Sequence, residues 1–365
     1  MLKRYRRRPG ARHSVIAMAR ATDQLNRPLG VLRLSLTARC NLACPYCLPD
    51  GKEPPGLLTL EQRLGVIGAA VNLGARSLRL TGGEPLLHGG LEELIAAVQP
   101  LRATHPERPG LREIALTSNG LLLSAERAQQ LRAAGLDRIT LSLDGTTAVS
   151  VARMAGLADT AAGERALAAV LAAIEHARAA GFDPARGDLK LNAVIQRGAN
   201  DDQALPLAAL ARERGLELRL IEFMDVGSRN GWQSEAVLSA AEMLEQIGSS
   251  WPLEPLGRTA HGTASRWRYR DGGGSLAVVA SVSAPFCGDC NRLRVTADGV
   301  AYTCLFAAPG SGLDLKPLLG EESGAAELKL AMAALWNQRS DRYSEERNTR
   351  KSVNSARAEM AYLGG

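Results

Sequence analysis

The chain has no apolar run approaching the roughly 18 residues that a membrane-spanning helix needs. Its longest candidate, Ala166–Ile174, is stopped by Glu175 and His176. It also lacks an unbroken apolar segment near the N-terminus of the kind that a secretory signal requires. Aromatic residues make up only 4% of the chain, too few to interleave with basic stripes as stacking platforms for nucleic acid. These absences lead us to expect a soluble, cytoplasmic protein with no nucleic-acid and no membrane partner. At 365 residues and 45% hydrophobic, the chain is long enough for one large core or for two domains.

The body of the chain lacks excess charge as well. The formal charge is +6, but Met1–Pro28 holds Lys3, Arg4, Arg6, Arg7, Arg8, Arg12, Arg20 and Arg27 against Asp23 alone. The rest carries 36 basic and 37 acidic residues, and is therefore close to neutral. We expect residues 1–28 to form a basic, disordered and solvated extension. An organelle-targeting or anion-contacting arm stays open, and with it an organelle stroma or matrix location.

No cysteine is left over. The six fall into two groups of three, Cys40, Cys44, Cys47 and Cys287, Cys290, Cys304. Without an export signal, such close spacing points to metal or cluster binding rather than to disulfides. A cuboidal 4Fe–4S cluster takes cysteine thiolates as its usual ligands, so three leave one of its four irons open. A structural zinc ion wants a fourth Cys or His, and none lies near the first group. For the second group zinc would need His261; the alternative is a second cluster with an open iron for substrate. Arg292 and Arg294 follow at once, two apart and so on one strand face. Guanidinium forks there suit phosphate recognition, although a solvated strand face would read the same way.

From Gly30 to Phe223 one pattern repeats: a short apolar strand, a turn, and a helix with apolar residues three to four apart. The strands are expected at Val31–Thr37, Ser77–Thr81, Glu113–Thr117, Arg138–Leu143, Leu189–Ile195 and Glu217–Phe223. The helices between them are expected at Thr59–Asn72, Leu91–Gln99, Ser124–Ala134, Glu164–Ala180 and Asp202–Arg214. Six such units imply a parallel α/β sheet, either open and doubly wound or a barrel. Chemistry-bearing residues follow most of the strands: the first cysteines, Gly82-Gly83-Glu84-Pro85, Thr117-Ser118-Asn119-Gly120, Ser142-Leu143-Asp144 and Glu222–Met224. Active sites of parallel barrels are built from such loops. A second, smaller region is expected from Asp225, with a helix over Glu322–Gln338 and a polar end at Arg339–Gly365.

The Cys-x3-Cys-x2-Cys loop after a first strand, with Gly-Gly-Glu-Pro after the second, resembles the radical S-adenosylmethionine superfamily. Both cysteine groups, with RLSLTARC, LRLTGGEP, IEFMDVG, CGDCNRLR and a terminal Gly-Gly, are similar to the GTP 3′,8-cyclase family. That resemblance implies a partial (β/α)6 TIM-type barrel over 29–224 and an auxiliary-cluster, substrate-binding region over 225–365. It implies two 4Fe–4S clusters on the six cysteines, and S-adenosylmethionine held by Tyr46, Gly83, Ser142 and Met224. GTP contacts would come from Arg33, Arg79, Thr117, Lys190, Arg219, Arg292, Leu293 and Arg294, with Arg292 and Arg294 also catalytic. A radical would take the ribose 3′ hydrogen and the sugar carbon would join C8 of guanine, opening molybdenum cofactor biosynthesis. The family further implies an external electron donor, a monomer or homodimer, and a downstream cyclic pyranopterin monophosphate synthase that receives the product. Taken singly, Arg33, Arg79 and Lys190 would also fit structural ion pairs, and the terminal glycines a frayed end. The family often has Lys where this chain has Ser77, which leaves Arg76 as a substitute. A radical enzyme acting on a peptide and a non-catalytic cluster or zinc protein are the competing readings.

Overall fold

Alternation decides which face each strand buries. In Val31-Leu32-Arg33-Leu34-Ser35 and Ser77-Leu78-Arg79-Leu80-Thr81, the leucines are at most 1% exposed while the arginines between them face the other way. The leucine face packs beneath helices, and the arginine face is left to line a concave interior. The computed structural model describes residues 21–365 except 106, 321–323 and 348–355.

The first part runs β1 Val31–Ser35, α1 Leu60–Asn72, β2 Ser77–Thr81, α2 Leu91–Val98, β3 Glu113–Ser118, α3 Ala125–Ala134, β4 Arg138–Ser142 and α4 Ala148–Ala155. It continues through α5 Thr160–Ala179, β5 Leu189–Ile195, α6 Ala204–Glu213 and β6 Glu217–Glu222. The remainder comprises α7 Ala240–Gly248, β7 Leu253–Arg258, β8 Ser265–Tyr269, β9 Ser275–Val279, β10 Arg292–Val295, β11 Val300–Tyr302 and β12 Leu313–Asp314. It ends with α8 Ala325–Asn337, α9 Tyr343–Glu346 and α10 Met360–Leu363.

All twelve strands form one sheet, in the order β12-β11-β10-β1-β2-β3-β4-β5-β6-β9-β8-β7. The run from β10 to β9 is parallel and the outer strands are antiparallel, so this is an open partial barrel with β12 and β7 at its edges. Among the described residues, those after Met224 build no sheet of their own. They extend the six-stranded run at both ends, β10 beside β1 and β9 beside β6.

Local chemistry explains the helix boundaries. Thr59 and Gln62 form a capping box on α1, and Ser239 and Glu242 one on α7. The Asp159 side chain accepts from the Ala162 amide, starting α5 four residues before the expected Glu164. Gly135 ends α3 in the left-handed region at φ 104°.

The expected disordered extension differs at its last residues. Residues 1–20 lie outside those described, but Asp23 and Arg27 are buried, and the Trp336 indole donates to the Arg27 carbonyl at 3.1 Å. No described helix is long and apolar enough to cross a membrane.

Candidate active site

The first cysteine loop leaves the end of β1. The Cys47 and Leu48 amides both donate to the Cys44 carbonyl at 2.9 Å, coiling the loop so that all three cysteines line one cavity. Its backbone is clamped on two sides. The Gly83 and Glu84 amides donate at 2.8 Å to the carbonyls of Thr37 and Arg39, and a Cβ on Gly83 would stand 2.2 Å from the Arg39 oxygen. Across the loop, Ala43 donates to the Ala155 carbonyl at 3.1 Å, and a Cβ on Gly156 would stand 2.1 Å from the Ala43 oxygen. Neither place has room for a side chain. The Gly82-Gly83 pair therefore lets two backbones meet, besides leaving the cavity wall open.

Glu84 is buried and accepts from the Leu86 and Asn119 amides and the Ser118 hydroxyl, at 2.9, 2.7 and 2.8 Å. Burial pushes its carboxyl up and these donors pull it back. The Tyr46 hydroxyl donates to Asp144 Oδ2 at 2.6 Å, while Asp144 Oδ1 accepts from the Val194 amide at 2.8 Å. The cavity that holds the cysteines is also lined by Tyr46, Gly83, Ser142 and Met224.

A second cavity adjoins it, lined by Cys287, Cys290 and Cys304 with Arg33, Arg79, Arg219, Arg292 and Arg294. Thr117, Asn192, Ile221, Met224 and Gly365 line both. Strand register explains the cationic wall: Arg33 stands level with Arg79 on β2 and with Arg294 on β10, three guanidiniums side by side on adjacent strands. Like charges directly opposite one another destabilise a sheet unless an anion lies between them.

Titration shifts record that tension. Arg33 is held well below its ordinary value by burial and then by Arg294 and Arg79. Burial and Arg138 bring Arg79 to about 9, partly offset by Glu113. Burial and Arg292 bring Arg294 to about 10. Glu113 pairs with Arg138 at 2.8 Å, and Glu217 pairs with Lys190 at 2.6 Å, Arg219 at 3.1 Å and Arg266 at 2.9 Å.

The C-terminus enters the same space. Arg33 donates to the Gly364 carbonyl through Nε at 3.0 Å and Nη2 at 2.8 Å, and to the Gly365 oxygen at 2.8 Å. Arg294 adds a bond to Gly364 at 3.2 Å.

Most of the residues singled out from the sequence meet in these two cavities, with two exceptions. Lys190 does not line the second cavity; its ammonium is held by Glu217. The Leu293 side chain is fully buried in the hydrophobic core, because it alternates with Arg292 and Arg294 on β10. Ser77, where the family often has Lys, donates to Glu113 at 2.8 Å.

Asn192 and Arg339 also line the cavities and were not singled out. Asn192 stands two residues after Lys190 on β5, so period-2 reading could have found it. Nothing in the sequence around Arg339 marks it.

The linings fit the groups that the motifs suggest. Each cavity has three thiols, and the chain has no further cysteine to close a set of four. Among the described residues, no three His, Cys, Asp or Glu side chains group tightly enough for a single metal ion. Asn192 Oδ1 and Arg292 Nη1 are buried without a protein partner, and polar atoms so placed are open to a ligand or a bound water. Arg292 Nη2 lies 3.1 Å from the Cys290 sulfur. Burial opposes ionisation of that thiol, but Arg292 and Arg339 outweigh it and bring it to about 7.

Residues 34–211 match the family model of the Radical SAM superfamily, and residues 216–345 that of Molybdenum Cofactor Synthesis C. A GTP 3′,8-cyclase of Synechococcus sp. (strain CC9605) is 63% identical over 345 residues, covering 94% of this chain and 98% of the relative. One from Acidothermus cellulolyticus is 42% identical over 376 residues, again with 94% and 98% covered. Among solved structures, Streptococcus suis SuiB bound to precursor peptide SuiA aligns with a TM-score of 0.60 at 12% identity, covering 93% of this chain and 77% of that one. At that identity the likeness concerns the fold alone. The identity to the curated relatives, over nearly the whole length of both chains and with both cysteine groups in place, places this chain in the GTP 3′,8-cyclase family of the radical S-adenosylmethionine superfamily.

Proposed function

We propose that the chain cyclises GTP to (8S)-3′,8-cyclo-7,8-dihydroguanosine 5′-triphosphate, the first step of molybdenum cofactor biosynthesis. The observation that carries this reading is the row Arg33–Arg79–Arg294, guanidiniums side by side in the cavity that holds the second cysteine triad and adjoins the cavity of the first. A triphosphate supplies the missing negative charge.

Cys40, Cys44 and Cys47 would hold the cluster that binds S-adenosylmethionine, and Cys287, Cys290 and Cys304 the second 4Fe–4S cluster. When bound, the first cluster and S-adenosylmethionine supply, on one-electron reduction, a carbon radical able to take a hydrogen atom from the ribose. The chain itself aligns the reactants. Tyr46, Gly83, Ser142 and Met224 would fix S-adenosylmethionine in the first cavity. Arg33, Arg79, Arg219, Arg292 and Arg294 would fix GTP in the second, with Thr117 in the shared wall. Lys190 would act through Glu217, and Leu293 through its main chain. Adjoining cavities with common walls bring the two reactants together and keep water out. Arg292 and Arg294, beside the second triad, would assist proton delivery to the cyclised base.

An external one-electron donor, a downstream cyclic pyranopterin monophosphate synthase that takes the product, and a monomeric or homodimeric chain in the cytoplasm complete the reading. Six free thiols suit such a reducing compartment.

The test is Cys304→Ser in the anaerobically reconstituted chain. Cleavage of S-adenosylmethionine should survive better than cyclisation of GTP. Equal loss of both would make the second triad a structural feature and remove the reading.

A further inference from the structure

Behind the second cavity the chain buries three charged side chains together. The side chains of Arg27 and Arg339 are 2% exposed and that of Asp23 is 0%. Asp23 Oδ2 accepts from Arg27 Nε at 2.5 Å and from Arg339 Nη1 at 3.1 Å. Each guanidinium then reaches the backbone that carries the second cysteine triad. Arg27 Nη1 donates to the Cys287 carbonyl at 2.6 Å, and Arg339 Nη1 to the Cys290 carbonyl at 2.7 Å. Arg339 Nε donates at 3.1 Å to the Thr303 carbonyl, one residue before Cys304. Asp341 closes the set: its carbonyl accepts from Arg27 Nη1 at 2.8 Å, and its carboxylate accepts from the Thr303 hydroxyl at 2.6 Å and pairs with Arg339 Nε at 3.4 Å, so two guanidiniums face two carboxylates.

Removing two guanidiniums and one carboxylate from water costs several kcal/mol per ion unless each proton finds a partner. Here many of those partners are carbonyls of the turns that carry Cys287, Cys290 and Cys304. The three segments involved lie far apart in the chain, at 23–27, 287–304 and 339–341.

We propose that Asp23, Arg27 and Arg339 are positioning residues for the second cysteine triad, one buried brace that sets the separation of its three turns and holds the Arg339 guanidinium beside its cluster site. The proposal rests on the cluster reading above. Arg339 also lines the second cavity and stacks 4.7 Å over the Trp336 ring, which fixes the plane of its guanidinium. Groups that orient metal ligands from behind are worth roughly 10- to 100-fold in metal affinity or activity. The last residues of the basic N-terminal segment thus belong to the second cluster site.

The experiment uses the full-length chain carrying Cys40→Ala, Cys44→Ala and Cys47→Ala, so that only the second triad binds iron, with about four irons expected after anaerobic reconstitution. Arg339→Gln, Arg339→Lys and, as control, the exposed Arg268→Gln, whose partner Glu254 lies on the neighbouring strand β7, are compared for iron retention against a chelator and for the midpoint potential of the electron paramagnetic resonance signal. Arg339→Gln should release iron roughly 10- to 100-fold more readily. Its midpoint should move to more negative potential, because a cation that favoured the reduced cluster is gone. Arg339→Lys, which keeps the charge but loses the fork, should release iron more readily with a nearly unmoved midpoint. Arg268→Gln should change neither. Should Arg339→Gln fail to show native circular dichroism, Arg27→Lys carries the retention test. Iron held as tightly as in the parent, with an unmoved midpoint, overturns the brace alone. A parent that binds no iron overturns the cluster reading and the brace together.

Discussion

At the scale of single residues, the guanidiniums of the second cavity outnumber the carboxylates that pair with them. Arg79 is the plainest case, since its Glu113 contact is long at 3.7 Å and Arg138 takes the shorter bond. A charge-assisted bond to phosphate is worth about 1.5–3 kcal/mol. Arg79→Gln should therefore raise the KM for GTP by roughly 10- to 100-fold, while GTP-independent cleavage of S-adenosylmethionine stays near its starting rate. Initial-rate kinetics with both readouts decides it.

Glu217 shows the converse. Burial would push its carboxyl up, but Lys190, Arg219 and Arg266 bring it down to about 2. Against a free glutamate near ~4.3, its stabilisation is fully present above that value and is lost as pH falls toward 2. Glu217→Gln leaves three cations unpaired and should cost about 3–5 kcal/mol, the range for breaking a buried pair. Thermal melts at neutral pH should show the loss, and the gap to the parent should narrow as the solution is acidified. The cysteines and most of the arginines were legible in the sequence, because their motifs are local. Arg339 was not, because its partners Asp23, Cys290 and Thr303 lie far from it in the chain.

At the scale of elements, the six parallel strands were legible to within a residue or two, since each alternates a leucine-rich face with a polar one. The strands after Met224 were not. β10 has four residues and β12 two, and they are held by partners distant in sequence rather than by any pattern of their own. Helix α4 is eight residues long and follows β4 closely, and its start is set by the Thr147 hydroxyl accepting from the Ser150 amide. It nevertheless matters to the site, as its C-terminal Gly156 presses on the first cysteine loop. Two elements thus grip that loop, and each needs a glycine where it does so. Gly83→Ala puts a methyl into the Arg39 carbonyl and should displace the loop. The expected outcome is loss of the first cluster's share of iron, from about eight to about four per chain, with the second cluster's signal retained. Unchanged iron would show that the loop yields without cost.

At the scale of the whole molecule, the open sheet is completed by its own C-terminal residues. The chain leaves the barrel after β6, adds strands to both edges, and returns its last two glycines to the Arg33–Arg294 wall. Gly364 can lie there because a Cβ would stand 2.4 Å from the Thr81 hydroxyl, and its φ of 66° suits glycine. Deleting Gly364 and Gly365 should leave the fold and cofactor cleavage in place but sharply reduce cyclisation, as read by nucleotide product per 5′-deoxyadenosine formed. On this reading one cavity would make a radical and the adjoining one would present the ribose of GTP to it. The most direct measurement is anaerobic turnover with S-adenosylmethionine, a reductant and GTP carrying deuterium at C3′. Deuterium should appear in the 5′-deoxyadenosine, with a cyclised nucleotide formed in step with it. Unlabelled 5′-deoxyadenosine beside unchanged GTP would contradict it.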